Sequence, residues 1–290
     1  MFLSRFVLVL SFLLPTSAVT AHEFWLDAPA YQVQTGTEIT TDIRNGELFE
    51  GTRLAYFPNS TERFDVTFDG ETTPVSARMG DIPALKMTAP DQEGLAIVAH
   101  QSKATMLTYK DWQTFVGFTV HKDFMQALAE HRSKGYPQDK VRERYSRYSK
   151  ALIAVGDGQG EDKALGLETE LVALTNPYTL AADQQMEVAL TYQQEPRRDV
   201  QVEVYERDAD KNVTVTKYRT DDAGHVQFPV TAGMTYLVDA VVLRASVEGA
   251  RWRYGSGELV LAVRAAGTNV VGVLRWARVL ALRRVVSVAQ

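Results

Sequence analysis

The sequence predicts a mostly β chain, two Ig-like β-sandwich domains with a helical insertion between them. Three observations predict it. Short apolar–polar alternations broken by turn residues fill residues 22–110 and 165–245, and the apolar period lengthens to three and four only between them. The composition, 45% hydrophobic and 23% charged over 290 residues, supplies enough apolar side chains for sizeable cores. The five histidines and the absence of cysteine then limit the chemistry the chain can carry.

Residues 1–21 are set aside first. Arg5 gives a charged start, residues 6–14 are almost wholly apolar, and residues 15–21 are small and polar, which is the make-up of a secretory signal peptide and is too short for a lasting membrane span. Val19 and Ala21 occupy the small positions a signal peptidase reads, so the expected cut lies between Ala21 and His22. The expected location is the periplasm. An exported chain without cysteine has neither disulfides nor thiolate ligands, so a bound metal must rely on nitrogen and oxygen, with thioether sulfur in reserve.

In the first β-sandwich domain, residues 22–110, strands are expected at 31–33, 38–44, 61–68, 85–88, 94–101 and 105–109. Asn45-Gly46, Asp69-Gly70 and Pro90-Asp91 are read as the turns between them. Residues 111–164 form the helical insertion and loop. Trp112, Phe115, Phe118, Met125 and Leu128 recur at helical spacing, a second helix is expected in PQDKVRERYSRYSKALIAVG, and GDGQGED reads as a loop. The second β-sandwich domain, residues 165–245, alternates through MEVALTY, VQVEVYE, VTVTKYRT, HVQFPV and YLVDAVV, with TDDAG as a turn. Residues 246–290 form an atypical tail. They hold seven Arg and two Glu without Lys or Asp, a composition that allows either a genuine tail or a shifted reading frame.

That tail carries +5 and the leader +1, so subtracting both from the whole-chain −5 leaves −11 on residues 22–245. An acidic body argues against nucleic-acid binding and suits the handling of cations.

The stretch AHEFWLDAP raises the sharpest functional question. Were His22 the first residue, its α-amine and imidazole could chelate one metal ion, and one further imidazole would complete a three-nitrogen histidine brace suited to Cu(II) or Ni(II). His100, in GLAIVAHQS, and His121, beside the apolar face of the first helix, are the candidate partners; a packed core histidine is the ordinary reading of either alone. His131 lies among charges and reads as solvated, and His225 follows a turn without an evident partner. GDGQG lacks the context of a dinucleotide fingerprint and the spacing of an EF-hand; YGSGE lacks that of a nucleophile elbow. Asn59 and Asn212 stand in glycosylation sequons.

Several motifs occur in a familiar order: AHEFWLDAP, RNGELFEGT, LTYKDWQTFVGFTVHKDF, RYSRYSKALIAVGDGQG, LGLETELVALTNPY and YLVDAVVLR. In these the chain resembles the periplasmic components of nickel-uptake and cobalt–nickel transport systems, a family largely described as a domain of unknown function. The resemblance runs from about Ala21 to Arg244 and implies an exported β-sandwich protein acting on a divalent transition metal (Cu, Ni or Co). It implies His22, His100 and His121 as metal ligands and a membrane transporter or other periplasmic acceptor as partner. The family's tryptophan-rich closing strand is not matched by GARWRYGSGELVLAVRAAGT. No transmembrane span is expected, and nothing in the chain requires an enzyme. Two other readings stand beside the metal binder: a metal-free envelope interaction module, and a copper-dependent oxidase with Trp25 or Tyr31 near its metal.

Overall fold

The computed structural model describes residues 22–181, 184–248 and 251–264, with Val263 the only side chain described after Ala245. The protein is mostly β, 50% strand and 9% helix. Nine strands precede the helices: β1 (Glu23–Asp27), β2 (Gln32–Val33), β3 (Glu38–Glu47), β4 (Glu50–Leu54), β5 (Thr61–Phe68), β6 (Glu71–Pro74), β7 (Leu85–Thr88), β8 (Gly94–Ser102) and β9 (Thr105–Thr108). Helices α1 (Trp112–His121) and α2 (Met125–Ser133) follow. Next come β10 (Arg142–Val155), β11 (Thr169–Ala173), β12 (Gln185–Tyr192), β13 (Glu195–Pro196) and β14 (Gln201–Arg207). The last described strands are β15 (Val213–Arg219), β16 (His225–Pro229), β17 (Thr235–Glu248) and β18 (Arg251–Arg264).

These strands make three sheets. One joins β1, β3 and β4, with β7 on β3; another joins β11, β12 and β13, with β16 on β12. The largest has ten strands, ordered β15-β14-β17-β18-β10-β8-β5-β6, with β2 and β9 also on β10. It therefore draws strands from both sides of the helices into one hydrogen-bonded surface. β10 is where they meet, antiparallel to β8 and β9 and parallel to β18 and β2.

β10 is the largest departure from expectation, because residues predicted as a second helix form a strand. Tyr148 through Val155 are all buried, and an apolar run shielded on both faces satisfies a central strand as well as a helix. What decides is the backbone: paired strands on either side take up its N–H and C=O groups. The expected first helix is likewise split. Asp111 caps α1 by accepting from the Thr114 N–H at 2.7 Å, but Asp123 adopts a φ of 63° and breaks the helix before α2. His131, expected in solvent, is buried against the Trp112 ring, and its Nε2 lies 3.0 Å from the Pro137 carbonyl oxygen. The chain turns back at Gly135 and lays Tyr136 and Pro137 over it.

Asn45-Gly46 is not a turn either. Both lie inside β3, and the hairpin turns at Leu48 and Phe49, with φ of 51° and 63°. Gly46 is needed because it faces Gly51 so closely that an added Cβ would run into the Glu50 carbonyl oxygen. The first part of the atypical tail folds as β18, paired along β17 and β10, and YGSGE lies within it as strand. The remainder of the tail, residues 265–290, lies outside the described residues, as does the expected leader at 1–21.

At the centre of β10 the fully buried Lys150 ammonium lies 2.8 Å from Asp162 Oδ1 and 3.4 Å from Glu170 Oε1, and donates to the carbonyls of Lys163 and Leu171 at 3.1 Å. Glu170 in turn accepts from the N–H groups of Leu165, Gly166 and Leu167 at 2.6, 3.0 and 3.1 Å, and Asp162 from that of Ala173 at 2.8 Å. One side chain thus ties the connection after β10 back onto the sheet. Removing the ammonium strands two buried carboxylates, so Lys150→Met is expected to lower stability by about 3–5 kcal/mol in urea unfolding. Gly46→Ala, which must spread the β3–β4 hairpin, is expected to cost about 2–3 kcal/mol in the same assay.

Candidate functional site

The start of β1 is where the sequence-predicted ligands are best judged, because strand geometry sends consecutive side chains to opposite faces. His22, just before β1, leaves its imidazole 58% exposed, with Nε2 3.9 Å from Glu47 Oε1 at the paired end of β3. Its carbonyl oxygen accepts from the Arg147 guanidinium at 2.7 Å. Phe24 points into the protein and meets the His100 ring at 5.4 Å between centroids. Glu23, between them, faces the other way.

On the Phe24 side, His100 is buried. Phe64 packs edge-on against it at 5.4 Å, Thr61 Oγ1 lies 3.3 Å from Nε2, and Nδ1 has no hydrogen-bond partner among the described residues. Burial alone pushes its pKa down to about 4, so the ring is neutral at physiological pH. Above it opens a cleft of about 240 Å³, walled by Phe24, Phe57, Tyr145 and Arg147.

On the Glu23 side lies a buried network that the sequence reading did not single out. Lys122, which follows α1, places Nζ 2.6 Å from both Glu203 Oε2 and Asp239 Oδ2. The Tyr205 hydroxyl lies 2.9 Å from Glu23 Oε1 and 3.0 Å from Glu203 Oε2, and Glu23 Oε2 accepts from the Leu48 N–H at 3.2 Å. Burial first, and the charge of Asp239 second, raise the Glu23 pKa to about 7. Burial also pushes Glu203 up, but the Lys122 charge and hydrogen bond, with help from His121 and Tyr205, outweigh it and hold that carboxyl below its usual value. The Tyr205 hydroxyl has one proton to donate to either carboxyl; when Glu23 holds its own proton it can donate to the phenol oxygen, leaving Tyr205 to donate to ionised Glu203.

His121 stands at the outer end of this network, 34% exposed, with Nε2 3.4 Å from Glu203 Oε1. Desolvation lowers its pKa, aided by the charges of Lys122 and Lys217 and opposed by those of Glu203 and Asp239. His100 and His121 therefore lie on opposite sides of β1, one reached from Phe24 and the other through Glu23. Among the described residues no group of three His, Cys, Asp or Glu side chains forms a ready metal site. The donors that do meet are the His22 imidazole and the Glu47 carboxylate. His225, read as unpartnered, lies 3.3 Å from Glu187 Oε1, and Trp25 and Tyr31 are core residues. One sequence signal for the missed network was available: Asp239 sits in the apolar strand YLVDAVV, where a charge must be buried and therefore paired.

The Glu23 carboxyl has a measurable consequence. Below about pH 4.5 it is protonated folded or unfolded; between 4.5 and 7 the unfolded chain sheds the proton first, so stability falls as pH rises through that window. Gln at position 23 can donate to Tyr205 and accept from Leu48 as the protonated acid does. Glu23→Gln is expected to keep the fold and flatten the decline, by up to about 3 kcal/mol in denaturant unfolding compared at pH 4.5 and 7.5.

Comparison with known proteins adds the family and little else. No curated protein matches the chain. One solved structure, a tetra-tandem repeat in the extending region of a large adhesion protein, is 11% identical, covering 84% of this chain and 50% of that one. Its TM-score of 0.22 leaves no basis for a shared fold or role. The model of the family described as a domain of unknown function, DUF4198, matches residues 19–244. With most of its length so matched, the chain belongs to the DUF4198 family.

Proposed function

We propose that this is an exported protein that binds a divalent transition metal and hands it to an acceptor, with His22 as the primary ligand. The observation that carries the reading is the pairing of an exposed His22 imidazole with the Glu47 carboxylate, 3.9 Å apart, at the head of a strand whose next residues are buried. Cleavage after Ala21 would free the α-amine to chelate a metal together with the ring nitrogen nearer the backbone, leaving Nε2 to the Glu47 carboxylate as a supporting partner; two such nitrogens suit Cu(II) or Ni(II) and leave positions open to exchange at the surface. The resemblance to nickel- and cobalt-uptake components supports metal transfer in the periplasm over catalysis, with a membrane transporter as one acceptor. His100 and His121 take supporting places in this reading: His100 packs beneath Phe24, and His121 couples to Glu203.

We further propose that the strands before and after the helices form two sandwich-like halves that share the ten-stranded sheet. In this arrangement the metal end belongs to the first half, and the buried network at Glu23 and Glu203 joins it to the second.

The test begins with protein exported through its own leader, whose intact mass fixes the first residue. Titration with Cu(II) and Ni(II) is expected to give one tight equivalent, lost when a residue is added before His22 and weakened about 10- to 100-fold by Glu47→Gln, the range seen when a supporting carboxylate is removed. His100→Gln is expected to leave the affinity within about threefold, since its ring contributes no ligand here. Equal binding by the native and extended forms would overturn the assignment.

A further inference from the structure

The large sheet ends in β15 on one side and β6 on the other, and the two ends are finished differently. β6 is four residues long and stops at Pro74, which has no N–H to offer a further strand. β15, VTVTKYR, is seven residues long, rich in β-branched residues and free of proline. Among the described residues it pairs with β14 alone. The Thr220 N–H donates to the Val200 carbonyl and the Asp208 N–H to the Asn212 carbonyl, each at 3.1 Å, and these two bonds bracket the β14–β15 ladder. Hydrogen-bonded pairs alternate along an antiparallel ladder, so Thr214, Thr216 and Tyr218 bond to β14 while the N–H and C=O groups of Val213, Val215, Lys217 and Arg219 point away from it.

The charges that would ordinarily guard such an edge are drawn back onto their own molecule. Lys217 Nζ donates to the His121 carbonyl at 2.9 Å and lies 3.3 Å from Glu203 Oε1. Arg219 lies 2.6 Å from both Asp123 Oδ2 and Asp199 Oδ1, and Val215 is left exposed beside them. The edge is thus open to a further strand, and its own sequence is the match. When two copies meet antiparallel about Thr216, Val213 lies opposite Arg219 and Val215 opposite Lys217 of the second copy. Every outward N–H and C=O of the four residues then has a partner, and no charge lies directly opposite its like. A slide of one register step sets Lys217 against Lys217, and a slide the other way carries Arg219 past the end of the strand. The strand's ends also differ in sign: Lys211, just before β15, and Asp222, in the turn after it, are exposed and make no ion pair among the described residues. A two-fold pairing brings each Lys211 to the end where the other copy carries Asp222.

We infer that β15 is a homodimer interface, two copies joining edge to edge through an antiparallel β15–β15 ladder centred on Thr216. The inference stands apart from the metal reading, because neither His22 nor Glu47 takes part in this edge.

Sedimentation velocity of the exported chain from about 1 to 300 µM, the span in which modest interfaces associate, is expected to show a monomer–dimer equilibrium. Val215→Pro removes an outward donor and no bond to β14, and is expected to weaken the dimer about tenfold or more with the circular dichroism spectrum unchanged. Lys211→Asp and Asp222→Lys, both on exposed turns, are each expected to weaken it about tenfold, and the double variant to recover it. The chain has no cysteine, and residues facing each other in a non-hydrogen-bonded antiparallel pair have Cα atoms about 4.5 Å apart, so Thr216→Cys is expected to give a disulfide-linked dimer under mild oxidation and Thr73→Cys, on β6, to give none. A monomer at every concentration, a dimer indifferent to Val215→Pro, a double charge variant no tighter than its single parents, or cross-linking at position 216 no greater than at 73 would each overturn the proposal.

Discussion

A lysine ammonium with no access to water, at the middle of the strand where the two sides of the large sheet meet, is the constraint on which the rest of this structure hangs. Burying that charge is unfavourable unless every donor is used, and Lys150 uses its donors on carboxylates and carbonyls contributed by the chain that follows β10. The path of residues 156–173 is thereby tied to this charge as well as to the core, which Leu167, Leu171 and Ala173 enter. β10 can then serve two sets of strands at once, because its own backbone is satisfied on both edges and its side chains are shielded on both faces.

β1 imposes the second constraint. Its alternation separates a neutral, aromatic environment around His100 from a charged one around Lys122, although Phe24 and Glu23 are neighbours in the chain. The two environments differ in what they do to a proton. Burial without a partner keeps His100 neutral, whereas around Glu23 and Glu203 the same burial is answered by an ammonium and a phenol, and the two carboxyls move in opposite directions. One strand five residues long thus holds two kinds of interior apart.

Most strands were legible in the sequence because a half-buried strand announces itself by alternation, as MEVALTY and HVQFPV do. β10 was not. Its first half carries charges at spacings that fit a helix, its second half is apolar throughout, and only its neighbours, distant in the chain, decide the matter. The split at Asp123 was hidden for a related reason, since apolar spacing continues across it while the backbone does not. At the site, His22 was readable from its place after the leader-like segment, and Glu47 was not, because it becomes a neighbour only through the β1–β3 register. The convergence expected of His22, His100 and His121 depended on which face of β1 each would meet, and spacing in the chain carries no such information.

The β3–β4 hairpin gives this arrangement a mechanical side. Three consecutive residues there face three different surroundings: Glu47 approaches the exposed His22 imidazole, the Leu48 N–H holds the buried Glu23 carboxylate, and Phe49 is clamped beneath the Arg207 guanidinium at 4.3 Å. Two of them sit at positive φ in a turn without slack, closed behind by the Gly46–Gly51 contact. The hairpin tip therefore has an outer side that touches solvent and an inner side that touches a buried acid. A surface contact and a buried one are thus built into adjacent residues of a single turn, so the place of Glu47 at the surface and the hydrogen bond to Glu23 within are fixed by the same few backbone angles.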